Sequence, residues 1–174
     1  MIFVTVGTHE QDFSRLIKKV DNLIDEKKII EPIFMQIGYT KYIPKNCDYK
    51  EMITSEEMIY YTKNSRIIIT HGGPGSIFLP FQFNKIPIVV PRQKKYGEHV
   101  DDHQVYFTKK LEMKKKIIAI YDINFLDEEI NNFLNREKNL NKDYKNATDK
   151  FVENFKKECL ELIKGDYNGK KWDT

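Results

Sequence analysis

One short segment of the sequence combines the residue types that bind anions. The run Ile67–Phe78, IIITHGGPGSIF, passes from an apolar, strand-like stretch through a histidine, three glycines and a proline into a helical pattern. Glycine admits positive φ and lets backbone N–H groups approach a ligand, and the start of a helix points its positive end at the same place. The segment therefore predicts an anion cradle, with a tight turn that holds no ligand as the alternative. The candidate binding residues are His71, Gly72, Gly73, Gly75 and Ser76.

The cradle matches neither of two common nucleotide-binding motifs. A P-loop ends in a Lys-Ser or Lys-Thr pair, and no such pair closes this turn. The dinucleotide fingerprint needs its glycines directly after the first strand and an acid about twenty residues later. The class of ligand therefore has to be inferred from the other loops.

Two more loops follow apolar runs. Gly7, Thr8 and His9 come directly after Ile2–Val6, and the loop Pro91–Gln104 comes after IPIVV. In parallel sheets, ligands bind beyond the carboxyl ends of the strands, so we expect all three loops to lie at one edge. His9 is a candidate general base, and a histidine that only donates or accepts a hydrogen bond in the pocket is the alternative.

The third loop also contains residue types that bind metals. His99 and His103 would share a helix face if the segment were helical throughout. Asp101 and Asp102 lie between the two histidines and complete the candidate set, but Gly97 favours a loop and the wider context of a ligand site is missing, so we predict no metal site. Asp101 and Asp102 are interpreted as acids in the first turn of a helix.

A small basic cluster lies at the start of the same loop. Arg92, Lys94 and Lys95 are predicted either to attract an anionic donor or lipid, or to form an ordinary solvated run of charges. The net charge of +3 for the 174 residues gives no argument for nucleic acid.

Apolar runs and helical patterns alternate along the chain, which predicts an α/β fold. The expected strands are Ile2–Val6, PIFMQIG, Tyr49–Ile53, RIIIT, IPIVVP and KIIAIY. The expected helices are Asp12–Lys27, one from Ser55, Gly75–Asn84, Asp101–Glu112, Asn124–Arg136 and Asp143–Ile163. Such an order predicts a single Rossmann-like domain with a mostly parallel sheet, spanning residues 1–163 and followed by a tail at 164–174.

The compartment is predicted from what the sequence lacks. It shows neither a signal-peptide pattern nor an apolar run long enough to cross a bilayer, which predicts a cytosolic chain. Cys47 and Cys159 are far apart and are interpreted as free thiols of a reducing compartment.

The three loops together resemble a known family. The segments THGGPGSI, NKIPIVVPR and YGEHVDDHQ are similar to the donor-binding half of the GT-B glycosyltransferases of family 28, which act on lipid-linked acceptors. The start of the chain, MIFVTVGTHEQDFSRLIKKVD, resembles the bacterial exopolysaccharide and capsule subunits of the PssE or EpsF type. The chain also resembles the catalytic subunit of the eukaryotic two-subunit enzyme that adds N-acetylglucosamine to a dolichol-linked sugar.

The resemblance implies a UDP-sugar-binding domain that needs no metal cofactor. The glycine loop would hold the diphosphate, and the uracil would lie at Val90–Arg92, where Pro91 and Arg92 are the candidate contacts. Gln104, with His103 beside it, would read the sugar hydroxyls, and Gly7 and Thr8 would lie near the diphosphate. Relatives carry an acid on the helix after the glycine loop for the ribose; Pro80 stands nearest that position here.

The resemblance also implies a partner. A membrane-anchored chain would carry the acceptor domain and the general base, and the acceptor would be an undecaprenyl-diphosphate-linked saccharide. The protein would then lie in the cytoplasm at the inner face of the plasma membrane, held there through its partner. Two functions remain open: the catalytic, donor-binding subunit of an inverting transferase, and a non-catalytic UDP-sugar-binding or enhancer subunit.

Overall fold

The protein contains a six-stranded sheet in which every strand pair is parallel. A computed structural model describes residues 1–140. The strands are β1 (Ile2–Thr5), β2 (Ile33–Gln36), β3 (Asp48–Lys50), β4 (Ile67–Thr70), β5 (Ile88–Val89) and β6 (Ile118–Ala119). Their order is β3-β2-β1-β4-β5-β6. The predicted helix Asp143–Ile163, Cys159 and the tail 164–174 lie outside the described residues.

Helices connect consecutive strands, as the alternating pattern predicted, except between β2 and β3. They are α1 (Ser14–Asp25), α2 (Ser55–Asn64), α3 (Pro74–Gln82), α4 (His103–Met113), α5 (Leu126–Asn131) and α6 (Phe133–Lys138), with 3₁₀ turns at Lys94–Tyr96 and Ile123–Phe125. The Rossmann-like α/β class is confirmed. Within residues 1–140, no helix has the length and apolar character needed to cross a bilayer.

The central strands are buried on both faces, which explains their continuous apolar sequences. On one face, Phe3 and Phe34 pack against Tyr61 of α2, and the Phe34 and Tyr61 rings stack with centroids 3.9 Å apart. Ile68 of β4 belongs to the same cluster, so the core joins β1, β2 and β4 to α2. The carboxyl ends of these three strands lie at the candidate site described below.

Some of the predicted helix boundaries were wrong. The single helix Asn124–Arg136 is a 3₁₀ turn and two short helices, broken around Asn132. Helix α4 begins at His103, so Asp101 and Asp102 precede it and are not first-turn acids. Helix α2 begins at Ser55, as predicted, and Thr54 is its N-cap, with Glu57 as its partner in a complete capping box.

Candidate functional site

The three predicted loops meet where the strand order reverses. The chain runs outward from β1 to β2 and β3, then returns to β4 on the other side of β1, which makes the β1–β4 junction the switch point of the sheet. The loop after β1 and the glycine loop after β4 flank this junction, and the loop after β5 lies next to them. All three contact one another, as the following distances show.

Two glycines are required because a histidine fills the space beside them. A Cβ built on Gly7 would lie 2.5 Å from Cε1 of His71, and one built on Gly73 would lie 2.3 Å from its Nε2. Gly7 also has φ +72°, a conformation that side chains disfavour. The His71 ring therefore lies between the first loop and the glycine loop, and both glycines have a packing role.

His71 is buried and neutral. Burial, reinforced by the positive charge of Arg92, lowers its pKa from 6.5 to about 3. Its backbone N–H donates to the carbonyl of Thr5 over 3.2 Å, and its Nδ1 lies 3.5 Å from the Thr70 hydroxyl. It acts as a spacer between the two loops, which the sequence did not indicate.

A buried glutamine that the sequence analysis missed holds the first loop. Gln36 accepts hydrogen bonds from the Thr5 hydroxyl (2.6 Å) and the Gly7 N–H (3.1 Å), and it donates to the Gly7 carbonyl (2.9 Å). In the sheet register Thr5 lies between Gln36 and Thr70, so polar residues end all three central strands. A polar residue at the end of an otherwise apolar strand was the signal available in the sequence.

Gln104 joins the glycine loop to the loop after β5. Its Oε1 accepts the backbone N–H of Gly72 at 2.9 Å and that of Arg92 at 3.1 Å. A Cβ on Gly72 would lie 2.7 Å from Cβ of Gln104, so this glycine is also required for packing. Because the carbonyl oxygen is engaged twice, the side-chain NH₂ is the part of the amide left to meet a ligand. Recognition of sugar hydroxyls by Gln104 stays a prediction.

The Arg92 side chain points into the protein, which differs from its interpretation as part of a basic surface cluster. It is 1% exposed, its guanidinium lies over the Phe13 ring at 4.7 Å, and burial lowers its pKa to about 10. Its hydrogen bonds go to the carbonyls of Val6, Gln11, Asp12 and Glu98. The side chain therefore ties the first loop to the third, while Pro91, also buried, begins that loop and Lys94 and Lys95 stay exposed.

A second arginine, on α1, also binds the third loop. Arg15 of α1 forms a two-pronged ion pair with the buried carboxylate of Glu98, with Nε–Oε1 at 2.7 Å and Nη2–Oε2 at 2.9 Å. Glu98 also accepts the backbone N–H of Gln93. The charged side chains of Arg15, Arg92 and Glu98 therefore connect α1, the first loop and the third loop through hydrogen bonds and an ion pair.

The rings of His9 and His99 contact each other, with centroids 4.8 Å apart. Nδ1 of His9 accepts the backbone N–H of Gln11 at 3.2 Å, so in the neutral ring the proton is on Nε2. Partial burial and then the charge of Arg92 lower the His9 pKa, which favours that neutral form. This geometry leaves the Nε2–H of His9 available as a hydrogen-bond donor. Whether His9 acts as a general base or only as a hydrogen-bonding residue stays a prediction.

The histidines of the third loop are joined by an aspartate. Nδ1 of His99 lies 3.1 Å from Asp101, and Nδ1 of His103 lies 2.6 Å from the same oxygen. The His103 ring is 83% exposed. His99 precedes α4, so the two histidines do not share a helix face. Among residues 1–140, no cluster of three or more His, Cys, Asp or Glu side chains is arranged to hold a metal ion.

The start of α3 differs from the packed parts of the site. No side chain caps this helix, and Pro74 occupies its first turn. The first intrahelical bond is made by Ile77, so the N–H groups of Gly75 and Ser76 precede it. A Cβ on Gly75 would meet nothing within 4 Å, although Gly75 has an ordinary negative φ. Pro80, further along α3, is buried.

The comparisons place the chain in a family. The model of the glycosyltransferase family 28 C-terminal domain matches residues 1–160. MurG from Acinetobacter baumannii has a similar structure, with a TM-score of 0.53 and 17% identity over 77% of this chain and 41% of the MurG chain. The glycosyltransferase SnogD from Streptomyces nogalater gives a TM-score of 0.45 and 17% identity over 80% of this chain and 39% of SnogD. A search of curated proteins gave no significant match.

The likeness to MurG confirms the expected fold, one half of a GT-B glycosyltransferase. The chain spans about two fifths of the MurG chain's length, since the match covers 41% of it. The family model, in contrast, covers nearly all of the 174 residues. On this evidence the chain belongs to glycosyltransferase family 28, in which it corresponds to the C-terminal domain.

Proposed function

We propose that this chain binds a UDP-sugar at the start of α3 and is the catalytic, donor-binding subunit of an inverting glycosyltransferase. Membership of family 28 supports glycosyl transfer. The carboxyl edge at the switch point of the sheet supports a ligand at the three loops.

The observation that carries the proposal is Gly75. Gly7, Gly72 and Gly73 are explained by side chains that occupy the space of a Cβ, and Gly7 also by its positive φ. Neither explanation applies to Gly75. This residue lies in a helix, where glycine is unfavourable, and it borders open space beside N–H groups that no side chain caps. A ligand that approaches the backbone explains this glycine, and an anion is the ligand that a helix start favours.

The proposed chemistry follows from these groups. The acceptor hydroxyl attacks the anomeric carbon of an α-linked UDP-sugar, the bond to the diphosphate breaks, and a β-glycosidic bond forms. The Gly75 and Ser76 N–H groups and the α3 dipole stabilise the negative charge that develops on the leaving UDP without a divalent metal. Nδ1 of His9 already accepts the Gln11 N–H, so we assign the base that deprotonates the acceptor to the other lobe.

We further propose that a membrane-anchored partner chain supplies that lobe. The partner would bind an undecaprenyl-diphosphate-linked saccharide, as the resemblance to exopolysaccharide and capsule subunits of the PssE or EpsF type implies. The described residues form one lobe, and a cleft that excludes water and positions the acceptor needs a second one.

The test substitutes Gly75, because a side chain at this position is expected to weaken UDP binding and yet to stabilise the folded protein. In Gly75→Val, the branched side chain should weaken UDP binding at least tenfold, as measured by calorimetry with EDTA present. In Gly75→Ala, UDP binding should weaken less, while the free energy of unfolding should rise by roughly 0.5–1 kcal/mol, because alanine favours a helix over glycine.

Gly73→Ala is the matched control. Its Cβ would press against His71, so this variant should lose stability by roughly 1–3 kcal/mol. UDP affinity unchanged in a folded Gly75→Val protein would contradict a donor site at the start of α3.

A further inference from the structure

The buried amide of Gln36 replaces backbone pairing at the point where β1 ends. The chain turns at Gly7, whose φ of +72° takes it out of the extended conformation of a strand. The Gln36 side chain, which is 1% exposed, binds both polar backbone groups of Gly7: its Oε1 accepts the N–H at 3.1 Å, and its Nε2 donates to the carbonyl at 2.9 Å. One side-chain amide therefore imitates a neighbouring strand and fixes the peptide groups on both sides of Gly7.

Two further hydrogen bonds anchor the amide itself. Its Oε1 also accepts the Thr5 hydroxyl at 2.6 Å, and its Nε2 also donates to the Glu51 carbonyl at 2.9 Å. Both donors face the oxygen and both acceptors face the nitrogen, so the amide has one favourable orientation. Gly38 leaves room for this arrangement, because a Cβ there would lie 2.6 Å from the Gly7 carbonyl oxygen. Gln36 therefore cannot shift without breaking hydrogen bonds on both sides.

Gln36 is separated from the glycine loop by a strand. It lies at the end of β2, and β1 stands between β2 and β4 in the sheet. All four of its hydrogen bonds described above go to protein groups, and its side chain is buried. Any influence of Gln36 on a ligand at the start of α3 is therefore indirect and passes through the first loop.

Packing carries the position of Gly7 to the start of α3. The His71 ring lies against Gly7 on one side and against Gly73 on the other, with no room for a methyl group at either contact. Gly73 is the N-cap of α3, and Gly75 and Ser76 lie in the first turn of this helix. Because closely packed atoms transmit a displacement instead of absorbing it, a shift of Gly7 moves the ring and the helix start with it.

We propose that Gln36 is a positioning residue of the donor site. Through Gly7 and His71 it sets where the N–H groups at the start of α3 lie before a ligand arrives. A site that is already ordered binds its ligand without the cost of ordering it, so UDP affinity depends on Gln36. The effect on UDP rests on the proposed function, whereas the coupling of position 36 to α3 does not.

The amide NMR resonances of the full chain without ligand test this coupling. Gln36→Met keeps the length of the side chain and removes the hydrogen bonds of its amide. We expect the resonance of Gly7 to shift, and with it those of Gly73, Gly75 and Ser76. UDP affinity, measured by calorimetry, should fall by roughly tenfold, as at other sites that lose a supporting hydrogen bond. Shifts confined to Gly7, or unchanged UDP affinity in the folded variant, would overturn the proposal.

Thr5→Val is a milder variant that serves if Gln36→Met does not fold. It preserves the shape of the side chain and removes only the hydroxyl, which donates to Gln36 and lies 3.4 Å from the Gly7 nitrogen. It should shift the same resonances by less and weaken UDP binding by roughly threefold. Thr5→Ser keeps the hydroxyl and should retain both the resonances at the start of α3 and the affinity. Unchanged α3 resonances in Thr5→Val would count against the proposal in the same way.

Ile130→Val is the control for a general loss of stability. Ile130 is buried on α5, outside the three loops. The substitution should lower the free energy of unfolding and leave the α3 resonances and UDP affinity unchanged. Equal changes in this control would show that any weakening of the core reaches α3 and would refute a specific role of Gln36. If the unsubstituted chain does not bind UDP, the donor site is wrong, while the resonances still decide whether Gln36 positions α3.

Discussion

Glycine has three different physical roles within the loops of the candidate site. At Gly7 it permits a positive φ and leaves room for His71, at Gly73 it leaves room for the same ring, and at Gly75 it leaves room for nothing in the protein. The sequence showed a glycine-rich turn, but these roles differ in the contacts that each residue makes. The anion-binding interpretation therefore depends on Gly75.

The amide of Gln104 should matter for stability as well as for any ligand. Gln104→Ala leaves the N–H groups of Gly72 and Arg92 without their acceptor, so we expect the free energy of unfolding to fall by roughly 1–3 kcal/mol. Urea unfolding measures this loss, and faster amide hydrogen exchange at Gly72 would locate it. Unchanged stability would show that water replaces the amide and that Gln104 does not hold the two loops together.

His71 should make stability depend on pH in a defined window. Its pKa is about 3 in the folded protein, below the ordinary value of 6.5, so between these values the unfolded chain binds a proton that the folded chain does not. Stability is therefore complete above pH 6.5 and falls as the pH falls, by up to about 1.4 kcal/mol per pH unit.

Urea unfolding between pH 6.5 and 4.5 checks this prediction. The depressed pKa values of Asp12 and Asp21 act at lower pH, whereas the lowered pKa of His9 adds to the slope in this window. His71→Asn should reduce the slope to the part that His9 contributes, whereas His103→Asn, at a position 83% exposed, should retain it. An equal slope in both variants would place the titrating group elsewhere.

Helices and strands were predictable where one face or both faces are buried continuously. The apolar runs of β1, β2 and β4 and the periodicity of α1 predicted those elements correctly. Gln36 was missed because its partners Gly7 and Glu51 are 29 and 15 residues away along the chain. The burial of Arg92 likewise depends on carbonyls more than 80 residues distant, which no local pattern contains.

Asp21 links α1 to the segment Gly38–Asn46 after β2 and should stabilise both. Burial alone would raise its pKa, but hydrogen bonds from Tyr42, Lys45 and Asn46 outweigh burial and lower it. Asp21→Ala should reduce the free energy of unfolding by about 2–3 kcal/mol, because several buried donors lose their acceptor. Urea unfolding measures the loss, and hydrogen exchange at Lys45 and Asn46 should accelerate. Exchange that stays slow would mean that the segment Gly38–Asn46 keeps its conformation without Asp21.

At the scale of the whole molecule, the proposed donor site lies at one edge of the lobe, and the proposed partner chain supplies the acceptor site. We therefore expect the isolated chain to bind UDP and yet transfer sugar to a lipid-linked acceptor at most slowly, with turnover appearing when membranes bearing the partner are added. A radiolabelled UDP-sugar assay with and without those membranes measures this difference. Comparable turnover in both would contradict a split enzyme.

The same assay separates catalysis from enhancement. With the partner present, Gly75→Val should abolish most turnover if this chain holds the donor. Full turnover with that variant would instead identify an enhancer subunit that does not need its own donor site.

The contact between His71 and Gly73 restricts how this protein can evolve. A side chain at position 73 is excluded while the imidazole occupies that space, and a smaller residue at position 71 alone would leave a cavity between the loops. A lineage that replaces either residue passes through a less stable intermediate unless both change together. Gly7 does not share this freedom, because its φ of +72° favours glycine whatever residue occupies position 71. Among homologues, positions 71 and 73 are thus expected to vary as a pair while position 7 stays constant.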